Sequence, residues 1–542
     1  MDAAPPGLVP FDRSSRSYQQ RWLILGVLCL SLLVIIVDNS ILNVAIPTLV
    51  RDLHATNSQL QWMVDSYTLV FAGLLLTAGS LGDRFGRRGA LQFGMVVFGL
   101  GSLASALVDT ANQLIVTRGV MGVGGAFIMP ATLSIITNVF PPEERGRAIG
   151  MWAAIAGVAT ALGPITGGFL VEHFYWGSIF LVNLPIVVFA LIAGVVLIPT
   201  SKDPAEPPLD PVGALLSIVG LVALVYGIIQ APEHGWTSPA TLTAFGIAIV
   251  VLGAFWIWEA RNPSPMLDTS FWKNPRFTAA SMGIMLLFFA MFGSIFLLTQ
   301  YLQFVMGYSA LEAGVALLPM ALTMLVVAPS SARIVERFGT KLVVGTGLTI
   351  AGVALGSYAG LPAHDISYPA DVMWRMILMA IGMGLTMAPA TESIMGSLPR
   401  AKAGIGSAMN DTTRQVGGAL GVAIIGSVMS SVYGSKVADV FTGAGITGQP
   451  VEVAKDGLGQ ALAIAAKLPE QLATTVADGA KTAFVDGLHV GVLVAAAAAL
   501  TGAAIAFVFL PAHELPAGEL EASVDGSGGV PVPEAEPEPA TS

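Results

Sequence analysis

Residues 83–88 read D-R-F-G-R-R, and residues 336–341 read E-R-F-G-T-K, 253 positions further on. A second pair of words behaves alike: P-A-T-L-S-I at 130–135 returns as P-A-T-E-S-I at 389–394, an offset of 259. The first apolar run of each copy starts near 22 and near 277, almost the same shift. Two matches in the same order at nearly one spacing describe a chain that carries one long unit twice.

What the unit is follows from its surroundings. Of 542 residues, 54% are hydrophobic and 11% charged, and the mean hydropathy is +0.75. Soluble proteins carry about a quarter charged residues, whereas runs of about 20 apolar residues mark membrane-spanning helices. The 61 glycines and 21 methionines suit helices that pack closely in a bilayer. Apolar runs between charged breaks predict fourteen spans, at 22–48, 60–80, 89–108, 113–138, 147–170, 177–198, 211–230, 240–258, 277–304, 312–334, 341–361, 372–397, 404–432 and 486–510. With both ends cytoplasmic, the inner connections and termini hold 17 Lys and Arg and the short outer loops hold only Arg51 and Arg375. An odd number of spans would destroy that asymmetry.

The predicted fold class is therefore an all-α integral membrane protein. A cytoplasmic segment 1–21 leads into a six-helix bundle at 22–200, two additional helices at 201–262, and a second six-helix bundle at 263–511. The last bundle is interrupted by an extracytoplasmic segment at 433–485, which reads equally as an amphipathic helix or an extended loop. After Pro511, seven Asp and Glu meet no Lys or Arg, so 512–542 reads as a disordered acidic cytoplasmic tail. Two parallel copies facing each other across a central cavity form a common transporter architecture.

Several stretches then carry a family resemblance. G-S-L-G-D-R-F-G-R-R-G (79–89) resembles the loop motif of the major facilitator superfamily, through Gly79, Gly82, Asp83, Arg84, Gly86, Arg87 and Arg88. L-I-V-T-R-G-V-M-G-V-G-G-A (114–126) resembles its fourth-helix motif, with Arg118 in the arginine position. G-V-A-T-A-L-G-P-I-T-G-G-F-L (157–170) resembles the fifth-helix motif of antiporters, with Gly157, Gly163, Pro164, Gly167 and Gly168. V-D-N-S-I-L-N-V-A-I-P (37–47) and R-Q-V-G-G-A-L-G (414–421) are similar to the fourteen-helix drug:proton antiporter branch. Two departures stand out: Y-W-G-S-I-F (175–180) lacks the arginine usual before the sixth helix, and Glu336 stands where the first copy has Asp83. The resemblance implies the major facilitator fold, with two inserted central helices, and antiport as the direction of exchange.

Ionisable residues inside apolar runs are the candidate coupling groups: Asp38, Asp65, Arg118, Glu392, Asp411 and Arg414. A charged Asp at mid-bilayer costs about 2.5–3.5 kcal/mol on insertion scales, so it faces a cavity or a partner. Asp38 reads as a proton or cation handler, or as a polar residue satisfied by a neighbouring helix. Asp65 reads as functional or as interfacial. Arg118 cannot carry the proton, because a guanidinium does not deprotonate in proteins; it supplies a fixed charge. Asp411 and Arg414, three apart on one helix, are within reach of pairing with each other, which reads as structural rather than catalytic. Glu392, whose repeat partner is Leu133, is expected at the cytoplasmic end of its helix as a solvated carboxylate. The arginines of the 79–89 loop either latch the cytoplasmic side or only set topology. Asn43, Trp62, Tyr67, Phe292, Phe296 and Tyr301, with neighbours such as Phe288, Phe289 and Met320, are candidate cavity residues.

Other classes find little support. Six scattered histidines lack paired metal-ligand spacing and no nucleotide-phosphate loop is present, which disfavours a membrane enzyme or an ATP-driven pump. A sensor would need a sizeable soluble output domain. The single cysteine, Cys29, permits no intrachain disulfide and no Cys-based metal site. No cofactor, metal or nucleic acid is expected; the implied partners are small amphipathic substrates, protons and the lipid of the plasma membrane, with the protein a monomer. The sequence thus favours a proton-coupled exporter of apolar or cationic amphipathic compounds, over an exporter of one endogenous lipid, siderophore or antibiotic.

Overall fold

A computed structural model describes residues 15–53, 57–202, 209–263 and 265–511. The start of the N-terminal segment and the acidic tail 512–542 lie outside the described residues. Among the described residues, fourteen helical spans are long and apolar enough to cross a membrane. The first six are α1 (Arg21–Asp52), α2 (Asn57–Phe85), α3 (Arg87–Ala106), α4 (Ala111–Val139), α5 (Pro142–His173) and α6 (Asn183–Leu197). Then come α7 (Pro211–His234) and α8 (Pro239–Arg261). The last six are α9 (Pro275–Gln300), α10 (Leu318–Phe338), α11 (Thr340–Ser357), α12 (Trp374–Gly396), α13 (Ala403–Gly443) and α14 (Glu470–Phe509).

The repeated words occupy the same structural places in both copies. R-F-G ends α2 and α10, and its glycine adopts a positive φ each time, 111° at Gly86 and 81° at Gly339. Only glycine takes that conformation without strain, and it turns the chain directly into the next helix. Pro130 and Pro389, from the P-A-T words, both lie inside helices, α4 and α12. Each removes one backbone hydrogen bond at the same place in its half.

Packing repeats as faithfully as sequence. In the first half α1 packs on α5 and α6, and α4 packs on α2 and α3; in the second, α9 packs on α13 and α14, and α12 packs on α10 and α11. The halves meet through α5 with α10 and α2 with α13, which are exchanged copies of one pairing, and through α4 and α5 with α13 and α12. The result is two six-helix bundles related by a pseudo-two-fold axis. The inserted α7 packs on α2 and on α13, and α8 packs on α7, so the pair lies outside one seam between the halves. Asp210 fastens it: it caps α7 through the Gly213 N–H (2.7 Å) and accepts from Trp258 (3.0 Å) and Asn262 (2.7 Å) at the end of α8.

One region differs from expectation. The spans expected at 404–432 and 486–510 extend to 41 and 40 residues in α13 and α14. Forty residues measure about 60 Å at 1.5 Å per residue, twice a hydrocarbon core of about 30 Å. Their outer parts therefore project, and two short helices, Gln449–Lys455 and Leu458–Ala465, pack between them. Tyr433, Phe441 and Phe484 are buried there, and the Tyr433 hydroxyl donates to Ala454 O at 3.0 Å. Segment 433–485 is mostly helical because polar residues beyond the bilayer end an apolar run without ending a helix.

Small residues set the helix spacing. A Cβ on Gly124 of α4 would lie 2.6 Å from the Phe98 nitrogen and 2.7 Å from Gly94 O of α3, whereas one on Gly26 would meet nothing within 4 Å. Gly124→Val is expected to destabilise the protein by about 1–3 kcal/mol through overpacking, and Gly26→Ala to leave it unchanged or slightly firmer. Thermal melting of the purified proteins in detergent checks both; equal melting temperatures would contradict close α3–α4 packing.

Candidate functional site

Asp38 lies midway along α1, fully buried, and forms an ion pair with Arg118 of α4. Its other oxygen accepts from Asn183 Nδ2 of α6 at 2.9 Å. Asn183 also donates to Ser102 Oγ of α3 (3.0 Å), and the Ser102 hydroxyl in turn donates to Phe180 O (2.8 Å). Arg118 spends its remaining donors on Met63 O of α2 (3.2 Å) and Asn39 Oδ1 (3.3 Å), and its guanidinium sits 4.6 Å over the Tyr67 ring. Five helices of one half thus converge on one carboxylate. A buried pair persists only when its leftover donors and acceptors are met in this way. Asn39 is itself exposed, so the buried pair lies one side chain from the molecular surface.

A second polar centre joins the two halves, and it is built from the repeat. Thr132 and Thr391 are the threonines of the two P-A-T words. Trp152 of α5 donates its indole N–H to Thr132 at 3.1 Å, and Arg414 of α13 donates to Thr391 at 2.7 Å. Trp152 and Arg414 stand 262 positions apart, close to the repeat spacing. The two meet across the interface, with the guanidinium 5.0 Å from the Trp152 ring and 5.1 Å from the Phe288 ring of α9. The Asp411–Arg414 pair that the spacing permits is not formed. Both side chains are buried, but Arg414 is drawn to Thr391 and the two rings, while Asp411 accepts from Asn410 at 3.3 Å.

The arginine-rich face is closed by a third cluster. Asp83, at the end of α2, accepts from Arg87 at 2.9 Å and from the backbone N–H groups of Gly404 (2.8 Å) and Ile405 (3.1 Å) at the start of α13. A carboxylate there meets both the unsatisfied first-turn donors and the positive end of the helix dipole. Arg87 adds a bond to Ala401 O at 3.0 Å. The contact is tight, since a Cβ on Gly79 would lie 2.6 Å from Gly404 O. Arg84 lies over Phe85, and Arg88 donates to Ile198 O at 3.3 Å. Nearby, Glu392 of α12 faces Arg145 of α5 at 3.8 Å. Its side chain is only 12% exposed, so the expectation of a solvated carboxylate fails: α5 of the first half packs against it.

Helix α5 carries the antiporter-like glycines along this seam. Gly157 lies against Met324 of α10, Gly163 closes on Ser40 of α1, and Pro164 packs on Gly314. Gly168 faces Leu311, and Gly167 is buried in the same turn. Among the remaining expected residues, Asp65 is buried on α2. Tyr67 joins the Arg118 network rather than an open cavity. Trp62 stacks on Tyr226 of inserted helix α7 at 6.2 Å, and Tyr301 is fully buried, donating to Pro362 O at 2.8 Å; both are packing residues here. Phe292 and Phe296 are 44% and 45% exposed. The Asn43 side chain lies outside the described residues. Asn183, Trp152 and Thr391 were not singled out from sequence. For Asn183 a signal existed, a lone amide within the apolar run F-L-V-N-L-P-I-V-V.

Asp38→Ala and Arg118→Met are each expected to destabilise the protein by about 3–5 kcal/mol, since each leaves the other charge buried and unpaired. The double variant should lose clearly less than the sum, read as melting of the purified proteins. Additive losses would contradict a direct pair.

The Major Facilitator Superfamily profile matches residues 28–422. The multidrug efflux pump LfrA of Mycolicibacterium smegmatis is 35% identical over 91% of this chain and 97% of its own length. The tetracenomycin C resistance and export protein of Streptomyces glaucescens is 31% identical over 90% and 91%, and the multidrug resistance protein Stp of Mycobacterium tuberculosis is 34% identical over 74% and 74%. Among solved structures, the human organic anion transporter MFSD10 superposes with a TM-score of 0.59 at 12% identity, covering 89% of this chain and 98% of its own. A bacterial homologue of the lysosomal transporter Spinster gives 0.53 at 19%, covering 92% and 99%. The chain is a multi-pass membrane transporter that belongs to the Major Facilitator Superfamily.

Proposed function

We propose that this protein is a proton-coupled exporter of apolar or cationic amphipathic compounds, working as a monomer in the plasma membrane with both termini cytoplasmic. The observation that carries the reading is the Asp38–Arg118 network. A guanidinium holds its proton, so Asp38 is the member that can gain one. Protonation cancels the ion pair and frees Arg118, which changes what α1 and α4 prefer to pack against. Exposed Asn39 provides the route by which water reaches the pair.

The same proton is linked to the opposite end of the bundle. With the arginine-rich face closed by Asp83 on the α13 terminus, the seam between the halves is free to open on the other face. Moving one charge across 100 mV is worth about 2.3 kcal/mol, enough to bias a latch made of a few charge-assisted hydrogen bonds. Inward proton movement then drives the return of the empty carrier, and substrate leaves in exchange. The names of LfrA and Stp support a broad substrate range, whereas that of the tetracenomycin C exporter supports a second reading, export of one self-made product.

Inverted membrane vesicles with an imposed pH gradient test the proposal. Adding a cationic dye is expected to release protons from the vesicles, and Asp38→Asn to abolish that release while dye still binds. Dye movement in the same direction as the proton would replace antiport with symport.

A further inference from the structure

The centre between the halves holds an arrangement that the coupling network does not use. The Arg414 guanidinium lies over two aromatic rings, Trp152 from one half at 5.0 Å and Phe288 from the other at 5.1 Å. It is buried, yet among the described residues its one hydrogen bond goes to Thr391, and its Nε has no partner. A guanidinium carries five donors, and burying them unmet is unfavourable. One turn earlier on the same helix, Asp411 is buried with Oδ2 unpartnered and Oδ1 accepting only from Asn410. Two opposite charges at i and i+3 share a helix face and are within reach of each other. The two charges already act on each other electrostatically, but no direct hydrogen bond joins them.

We propose that the Trp152–Phe288 slot is a subsite for an organic cation, in which the Arg414 guanidinium is a resident stand-in. When the cation enters, Arg414 turns to Asp411. This rests on the export reading above and says where in the chain the cargo's positive charge is held. The exchange conserves what the site needs: the rings keep a cation beside them, and the displaced guanidinium gains a carboxylate that was already buried beside it. Neither partner alone explains the geometry, since an Arg414 that served only to satisfy Asp411 would face it.

Further rings run outward from the slot along α9. Phe288 stacks on Phe292 at 5.7 Å and 25°, and Phe292 with Phe296, each one turn further along α9, is exposed. These rings lead from the surface to the guanidinium. Ring faces attract diffuse charge, while no carboxylate of the slot itself meets a compact one; the class selected is a quaternary or delocalised aromatic cation rather than a primary ammonium. Because the two rings belong to opposite halves, the slot exists only while those halves are together there. Separation of α5 from α9 takes the slot apart and releases its occupant.

Binding of tetraphenylphosphonium to the purified full-length protein, measured by titration calorimetry, tests this. Arg414→Gln removes the stand-in and is expected to bind about tenfold more tightly than the wild type. Trp152→Leu and Phe288→Leu should each bind about tenfold more weakly, the equivalent of one lost desolvated cation–π contact, with Trp152→Phe intermediate. Neutral triphenylphosphine oxide should not distinguish wild type from Arg414→Gln. Should Arg414→Gln fail to fold, judged by size exclusion and melting, Trp152→Phe against Trp152→Leu carries the test. Equal affinities across these proteins, or no binding to any of them, overturn the subsite. If vesicles still export the compound against protons, the export reading stands and only the subsite is lost.

Discussion

A buried charge must keep its partner, and the pair between Asp38 and Arg118 imposes that constraint on the whole first half. Neither residue can leave without stranding the other in a medium where a lone ion is strongly disfavoured. The helices that contribute Asn183, Ser102, Met63 and Asn39 are therefore held in register by one carboxylate. A proton is the one small species that dissolves this constraint without moving any side chain first. That gives the bundle a reason to respond to protonation, and the response is collective because five helices share the network.

The second half carries the same helices in the same order but not the same charges. Under the 253 spacing Tyr67 corresponds to Met320, and the centre of the second bundle is filled by apolar side chains such as Met320 and Met379. Repeat symmetry is kept where the halves touch: two P-A-T threonines each hold one large side chain, an indole in one copy and a guanidinium in the other. Symmetry is broken inside the bundles: the first closes its charges into the Asp38–Arg118 pair, whereas the second buries Asp411 and Arg414 without a direct ion pair.

Much of this was legible in the sequence, and the limits were physical. Fourteen apolar runs and the doubled R-F-G and P-A-T words disclosed the bundles, because bilayer length and glycine or proline backbone chemistry are local properties. Asp38 and Arg118 stood out as ionisable residues in apolar surroundings, though their partnership across 80 positions did not. The i, i+3 spacing misled for Asp411 and Arg414, since that rule describes an isolated helix and here Thr391 and two rings compete from other helices. Glu392 misled for a similar reason: distance along a helix says how near the end a residue lies, not whether another half covers it. The projecting ends of α13 and α14 escaped because hydropathy locates the bilayer, while helices continue beyond it.

The linkage of one buried proton to closure of the far face is most directly measured as a distance. Spin labels at Gly89→Cys and Phe338→Cys, both exposed on the arginine-rich side of opposite halves, report separation by pulsed electron resonance in lipid nanodiscs. A short separation should dominate at mildly alkaline pH, a longer one should grow on acidification, and Asp38→Asn should hold the longer one at every pH. A single separation, unchanged by pH and by Asp38→Asn, would mean that the Asp38 proton does not control which face is open.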